Sequence, residues 1–291
     1  MSQLTLPSGV TIEYERHGSG EPLLLVMGLA GQLIDWPEGF IAELTSAGFE
    51  VIVFDNRDSG LSTEFDWNAP SQATSLRAML TRRPLKRIGY TIDDMAADAA
   101  GLLTELEIPS ADVVGMSMGG MIAQAMAIRF PQQVRSLTSV MSHTGDRRNG
   151  GVSWKLVRRY GFPSRPDRER AADEAVRLWQ HISGDHFDEA ETRQRSNASV
   201  ARSWRPNGVS RQTAAIAGSP DRTPGLRTIT TPTLVIHGLK DLLVTPSGGH
   251  ATAAAVRHSR LLMFPTMGHN LPAALHQEIA GSIANHVERV A

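Results

Sequence analysis

Two periods of apolar and polar positions alternate along this chain. The first segment reads as a β-hairpin: Leu4-Thr-Leu6 and Val10-Thr-Ile-Glu-Tyr14 alternate around the turn pair Ser8-Gly9. Leu23–Met27, Val51–Phe54, Asp112–Gly115 and Val134–Met141 have the length and composition of buried strands. Stretches with helical spacing lie between them. Phe40, Ile41, Leu44 and Ala47 line one face of a helix near 37–47, with Gly48 placed to close it. Thr91 can cap a helix over 91–106, with Asp93 and Asp94 in its first turn and Met95, Ala99, Leu102, Leu103 and Leu106 on one face. Met118–Phe130 is a further helix, closed by Pro131.

Residues 59–88 read as a long polar loop with one turn of helix at Leu76–Leu80. From 145 to 225 the pattern changes. Helix-like stretches such as Asp167–His181 and Asp188–Arg195 occur there without a strand. After Pro232 the alternation resumes: strand Thr233–His237, helix Ser247–Val256, strand Leu261–Phe264, and a helix from Leu271 to the end. Strands alternating with helices predict an α/β fold, here a mostly parallel eight-stranded sheet covered on both faces. The expected division is a core of 1–144 and 226–291. A helical cap, 145–225, is inserted over the sheet's C-terminal edge.

Composition narrows the class. The chain has 291 residues, is 41% hydrophobic and 20% charged, and has a net charge of -1, which gives no reason to expect nucleic acid or an anionic membrane as partner. The only lysines are Lys86, Lys155 and Lys240. There is no Cys, which excludes disulfides, zinc–thiolate sites and a cysteine nucleophile. The N-terminus lacks a basic region followed by an apolar stretch, and the longest apolar run, Pro22–Ala30, is too short to span a bilayer. A soluble, cytoplasmic protein is the expectation.

The chemistry centres on Gly115-Met116-Ser117-Met118-Gly119, which follows a predicted strand and opens a predicted helix. In that context G-x-S-x-G marks a nucleophile elbow, a strained turn that projects the hydroxyl from the strand's C-terminal end. A serine hydroxyl needs a base, and the base an orienting carboxylate. Among ten histidines, His269 is the candidate base, because its loop follows the last strand and overhangs that same edge. Gly268 is expected to give the backbone freedom to aim the ring. His237 is the main rival, at a strand end. His143 could line a pocket, and His276 and His286 read as surface residues. Asp241, four residues past His237, is the candidate acid. A turn-capping aspartate would look the same in sequence, and Asp146 is the alternative. Acyl transfer also requires N–H donors for the developing oxyanion. Met118, after the nucleophile, and Leu29, in the loop after the third strand, are the candidates.

Together these residues resemble the α/β-hydrolase superfamily over nearly the whole chain, and within it the aclacinomycin methylesterase-like carboxylesterases. The shared features are Val26-Met-Gly28 with Trp36-Pro37, Asp55-Asn-Arg-Asp-Ser-Gly-Leu-Ser62, Gly115-Met-Ser-Met-Gly-Gly120, Pro232-Thr-Leu-Val-Ile236 leading to Asp241, and Met267-Gly-His269 with Leu271-Pro272. Met27 and Asp58 stand where much of the superfamily has His and Gly, and both variants look like the methylesterase branch. The resemblance implies Ser117, Asp241 and His269 as catalytic triad, with Leu29 and Met118 as oxyanion donors. It implies hydrolysis of a small-molecule carboxylic ester, without metal or organic cofactor. A perhydrolase, thioesterase, amidase or carbon–carbon bond hydrolase would use the same triad, and a ligand-binding homologue could retain it without turnover. Epoxide hydrolases and haloalkane dehalogenases resemble this fold but carry Asp where Ser117 stands. The cap matches no motif. Its Trp154, Trp179 and Trp204 are expected to pack cap helices onto the sheet rather than line an acyl pocket.

Overall fold

The computed structural model describes residues 1–81, 83–160 and 167–289. All eight predicted strands form: β1 (Ser2–Thr5), β2 (Thr11–His17), β3 (Glu21–Val26), β4 (Phe49–Phe54), β5 (Ala111–Met116), β6 (Val134–Val140), β7 (Thr233–Gly238) and β8 (Arg260–Phe264). They make one sheet in the order β1-β2-β4-β3-β5-β6-β7-β8. The hairpin β1–β2 pairs antiparallel, as does β2 with β4, and every other pairing is parallel.

Side chains alternate across a strand, so each strand feeds two cores. Leu24, Val26, Ile52, Phe54 and Val113 face one cluster. It is completed by Met95, Leu102 and Leu103 of α3 (Ile92–Glu105) and by Met121 and Ile122 of α4 (Met118–Arg129). Leu23, Leu25, Val51, Val53 and Val114 face the other. Phe40 and Leu44 of α1 (Glu38–Ser46) and Ile279 and Ile283 of α11 (His276–Glu288) complete it. Burial on both faces explains why these strands read as unbroken apolar runs. Helix α10 (Ser247–Ala255) lies between β7 and β8 in the chain.

Three local expectations are corrected. The segment 59–88 holds a full nine-residue helix, α2 (Gln72–Leu80), capped by Ser71, whose Oγ accepts the Thr74 N–H. It buries Ser75 and Ala78 and packs on α8 (Pro206–Gly218), a contact no local pattern announces. The last helix begins at His276, after a 3₁₀ turn at Ala273–Leu275. A residue before proline is steered away from helical backbone, so Leu271, ahead of Pro272, cannot start it. His276 and His286 are buried, not superficial. The His276 Nε2–H donates to the Leu271 carbonyl, 3.0 Å away, and the ring lies against Phe40.

Between β6 and β7 the described residues form α5 (Trp154–Tyr160), α6 (Ala171–Ile182), α7 (Glu189–Arg202), α8 and α9 (Thr223–Leu226). Trp179 of α6 packs against the second core cluster. Trp154, at 68% exposure, packs nothing onto the sheet, contrary to expectation, and Trp204 is half-buried. No helix among the described residues is long and apolar enough to cross a membrane.

Candidate active site

Ser117 joins β5 to α4 with φ 56° and ψ -119°. Positive φ is costly for a residue with a Cβ, and it persists here because the surroundings leave no alternative. The Ser117 N–H donates to Val140 O (2.9 Å), and the Ser117 carbonyl accepts from Gly120 N (3.0 Å) and Ser142 Oγ (2.8 Å). The flanking glycines are required by space. A Cβ on Gly115 would stand 2.1 Å from Gly119 O, and one on Gly119 would stand 1.9 Å from Val26 O. The elbow is therefore held by β3, β5 and β6 together.

His269 reaches this serine from the loop after β8. Its Nε2 lies 3.0 Å from Ser117 Oγ, and its Nδ1 lies 2.6 Å from Asp241 Oδ2. His269 and Asp241 are buried, while Ser117 is partly exposed. The three residues expected from sequence are thus in contact in the expected order. Gly268 acts differently from expectation: a Cβ there would stand 2.0 Å from Ile182 O, and φ is not positive. Its role is close approach, because the end of α6 presses on this loop and Ile182 O accepts the His269 N–H at 2.6 Å.

Asp241 is a turn cap as well as the histidine's partner. Its Oδ1 accepts the Leu243 and Val244 amides, both at 2.9 Å, which leaves Oδ2 to face the imidazole. Burial alone would raise this carboxyl's pKa. The charge of His269 and hydrogen bonding to His237 and His269 outweigh it and hold the group below its ordinary value. His237, weighed from sequence as a rival base, lies beneath Asp241. Its Nε2 donates to Val244 O (2.8 Å) and is 3.5 Å from Asp241 Oδ2.

The other candidates lie apart. Asp146 is engaged in its own turn, accepting from Arg148 N, Asn149 N and Asn149 Nδ2. His143 turns back on its loop, Nδ1 accepting the Gly145 N–H at 3.0 Å. Burial and the neighbouring Arg222 push its pKa down to about 3, so the ring is neutral at ordinary pH.

The loop after β3 passes against the serine: a Cβ on Gly28 would stand 3.2 Å from Ser117 Cβ. Among the described residues neither the Leu29 nor the Met118 amide has a protein acceptor. Met118 is the first residue of α4, whose N-terminal amides carry partial positive charge.

Helices α7 and α8 bear on the same loops. Gln32 Nε2 donates to Ser199 O (2.7 Å) and Ser203 O (3.2 Å), and Arg202 bridges Gln32 Oε1 (2.7 Å) and Asp55 (2.8 Å). Arg211 pairs with buried Asp58 at 2.8 Å. Gln212 bridges the loops after β3 and β4. No local periodicity could have found these partners, since each joins segments far apart in the chain.

Comparison with known proteins agrees with this architecture. A family model described as alpha/beta hydrolase fold matches residues 21–272. The chain is 27% identical to the rhodomycin D methylesterase DauP of Streptomyces sp. (strain C5), over 91% of this chain and 90% of that protein. It is 26% identical to the 2-hydroxymuconate semialdehyde hydrolase of Pseudomonas sp. (strain CF600), over 77% and 82% of the two chains. Among solved structures, a thermophilic esterase from Thermogutta terrifontis superposes with a TM-score of 0.72 at 22% identity, covering 100% of this chain and 99% of the other. With its mostly parallel sheet, its strained serine turn and a family match across most of its length, the chain belongs to the alpha/beta hydrolase fold family.

Proposed function

We propose that this protein is a serine carboxylesterase, with methyl esters among its substrates. The observation that carries the reading is the relay from Ser117 Oγ through His269 Nε2 (3.0 Å) and Nδ1 to Asp241 Oδ2 (2.6 Å). The likeness to rhodomycin D methylesterases supports the choice of ester.

Each residue has a defined task. Ser117 Oγ attacks the acyl carbon of the ester while His269 Nε2 takes its proton. Asp241 holds the ring with N–H on Nδ1, so that Nε2 carries the lone pair, and stabilises the imidazolium as it forms. The Met118 and Leu29 amides receive the negative charge on the former carbonyl oxygen. Removal of one such donor typically costs about 10²–10³ in kcat. Collapse expels the alcohol, protonated by His269, and leaves an acyl-serine. Water, deprotonated by the same imidazole, then releases the acid and restores Ser117. These steps call on no metal or organic cofactor, and on a small-molecule ester as the only partner.

The test is turnover of p-nitrophenyl acetate and a panel of methyl esters, with thioesters and amides alongside. Ester hydrolysis abolished in Ser117→Ala is expected. An inert wild type, or a Ser117→Ala variant with undiminished rate, would sink the proposal. Faster turnover of thioesters or amides than of any ester would move the assignment to those classes on the same residues.

A further inference from the structure

The loop after β3 uses its backbone donors in a telling way. The Gly31 N–H donates to Gly28 O (3.2 Å), Gln32 N–H to Asp35 Oδ2 (2.7 Å) and Leu33 N–H to Asp55 Oδ1 (2.7 Å). The Ala30 N–H donates to Gln212 Oε1 at 2.9 Å, across 182 residues of sequence. Gly28 and Leu29 are left without a protein acceptor among the described residues. Ala30 sits at φ 64°, a left-handed conformation that a residue with a Cβ adopts only when held.

Gln212 is well placed to hold it. It is fully buried on α8, and its Nε2 donates to Arg57 O at 2.8 Å in the loop after β4. The amide group therefore has its acceptor and one donor engaged by two different loops. That fixes its flip state, because only an oxygen can take the Ala30 N–H and only an NH₂ can serve the Arg57 carbonyl. Asn56 Nδ2 donates to Met27 O (3.0 Å) and Ser59 Oγ to Gly31 O (2.7 Å), which closes the loop's carbonyl side. An Ala30 amide released from Gln212 would be a further free N–H beside those of Gly28 and Leu29, in a loop free to change its turn.

We propose that Gln212 is a positioning residue for the oxyanion donor: by binding the Ala30 amide it sets the turn that presents the Leu29 N–H to the acyl oxygen at Ser117. The proposal rests on the serine-esterase reading above. It makes a helix of the segment between β6 and β7 part of the machinery for charge stabilisation, not only a wall of the substrate pocket. Oxyanion donors act only if already oriented, and a misplacement of about 1 Å can cost about 10²-fold.

The test compares wild type, Gln212→Met and Gln212→Glu. Methionine matches the shape and removes both bonds. Its kcat on p-nitrophenyl acetate should fall roughly 10- to 100-fold with KM changed less than about threefold. Affinity for a trifluoromethyl ketone, which forms a tetrahedral oxyanion on the serine, should fall by the same factor. Protonated glutamic acid imitates glutamine, its carbonyl accepting from Ala30 and its hydroxyl donating to Arg57 O. The carboxylate has no donor for Arg57 O, is repelled by it, and so loses the anchor that holds the side chain in place against the Ala30 amide. The kcat ratio of Gln212→Glu to wild type should therefore fall as pH rises, while the Gln212→Met ratio stays flat. An unchanged kcat in Gln212→Met, a loss confined to KM, or a pH-independent Gln212→Glu ratio would overturn the proposal. If Gln212→Met does not fold, the Gln212→Glu pH ratio decides alone. A wild type that is neither active nor labelled by a fluorophosphonate would instead overturn the esterase reading.

Discussion

Asp241 divides its two carboxylate oxygens between backbone and side chain: Oδ1 takes the Leu243 and Val244 amides, and Oδ2 takes His269 Nδ1 at 2.6 Å. The turn therefore aims the carboxylate, and the carboxylate aims the ring. Asp241→Asn keeps an oxygen for the two amides, since the side-chain amide can place its NH₂ toward His269. That NH₂ forces the proton off Nδ1 and onto Nε2, where the proposed mechanism needs a lone pair. Turnover of p-nitrophenyl acetate should fall about 10⁴-fold while the variant remains folded, its neutral-pH stability lowered by the contribution of the lost carboxylate. A loss below about tenfold would contradict the assigned role.

The carboxyl of Asp241 also couples stability to acid. Its folded pKa lies below the ordinary carboxylate value, so the unfolded chain binds the proton first as pH falls. The stabilisation is complete above about pH 4 and is lost as pH drops through the lower, folded value. Denaturant unfolding followed from pH 5 to pH 2 should show a shallower decline in Asp241→Asn than in wild type.

His143 acts in a higher window. Its folded pKa is about 3 and that of an unfolded histidine about 6.5, so only the unfolded state is protonated between them. Stability should then fall by about 1.4 kcal/mol per pH unit from this group on acidification through that range. In His143→Asn, the side-chain oxygen can still accept the Gly145 N–H, but nothing titrates. Unfolding free energies at pH 7 and pH 4.5 should differ less in the variant than in wild type.

Gly119 is confined by backbone on its far side, where an added Cβ would meet Val26 O at 1.9 Å. A carbonyl in the middle of a sheet cannot rotate away. Gly119→Ala should cost about 3 kcal/mol or more, read from denaturant midpoints, and should perturb the elbow as well. The half-buried Gly281, with nothing near its Cβ position, is the control, and Gly281→Ala should be neutral or stabilising.

Arg211 and Asp58 form a buried pair at 2.8 Å, and Tyr90 Oη donates to the same carboxylate at 2.7 Å. Asp58 adopts φ 65°, a conformation glycine would hold without strain. Arg211→Met should cost about 3 kcal/mol because it strands a buried charge. Adding Asp58→Gly should recover part of that loss, since it removes the stranded charge and the strained φ but leaves Tyr90 Oη and the Phe65 amide without their acceptor. A double-mutant cycle with a coupling energy near zero would show the pair to be independent.

Much of this fold is visible in local pattern. The eight strands are short apolar or alternating runs, and burial on both faces of a parallel sheet leaves that trace in the residues themselves. Helices α1, α3, α4 and α10 lie within a residue or two of their expected bounds, because capping and spacing are local chemistry. Helix α2 escapes notice because its apolar face is weak and its stability comes from α8. His276 and His286 escape because a histidine on a terminal helix looks the same whether that helix is exposed or docked.

The same division runs through the candidate site. The order of serine, aspartate and histidine, each just beyond a predicted strand, was legible because parallel strands send such loops to one edge of the sheet. Tertiary structure alone decided which oxygen of Asp241 faces His269, that His237 lies beneath it, and that Gly268 serves close packing. It alone joined Gln212 to Ala30, 182 residues away. The physical reason is the range of the forces. Strands, elbows and caps are set by neighbours in the chain, whereas the aim of a buried donor is set by whichever distant group is pressed against it when the core closes.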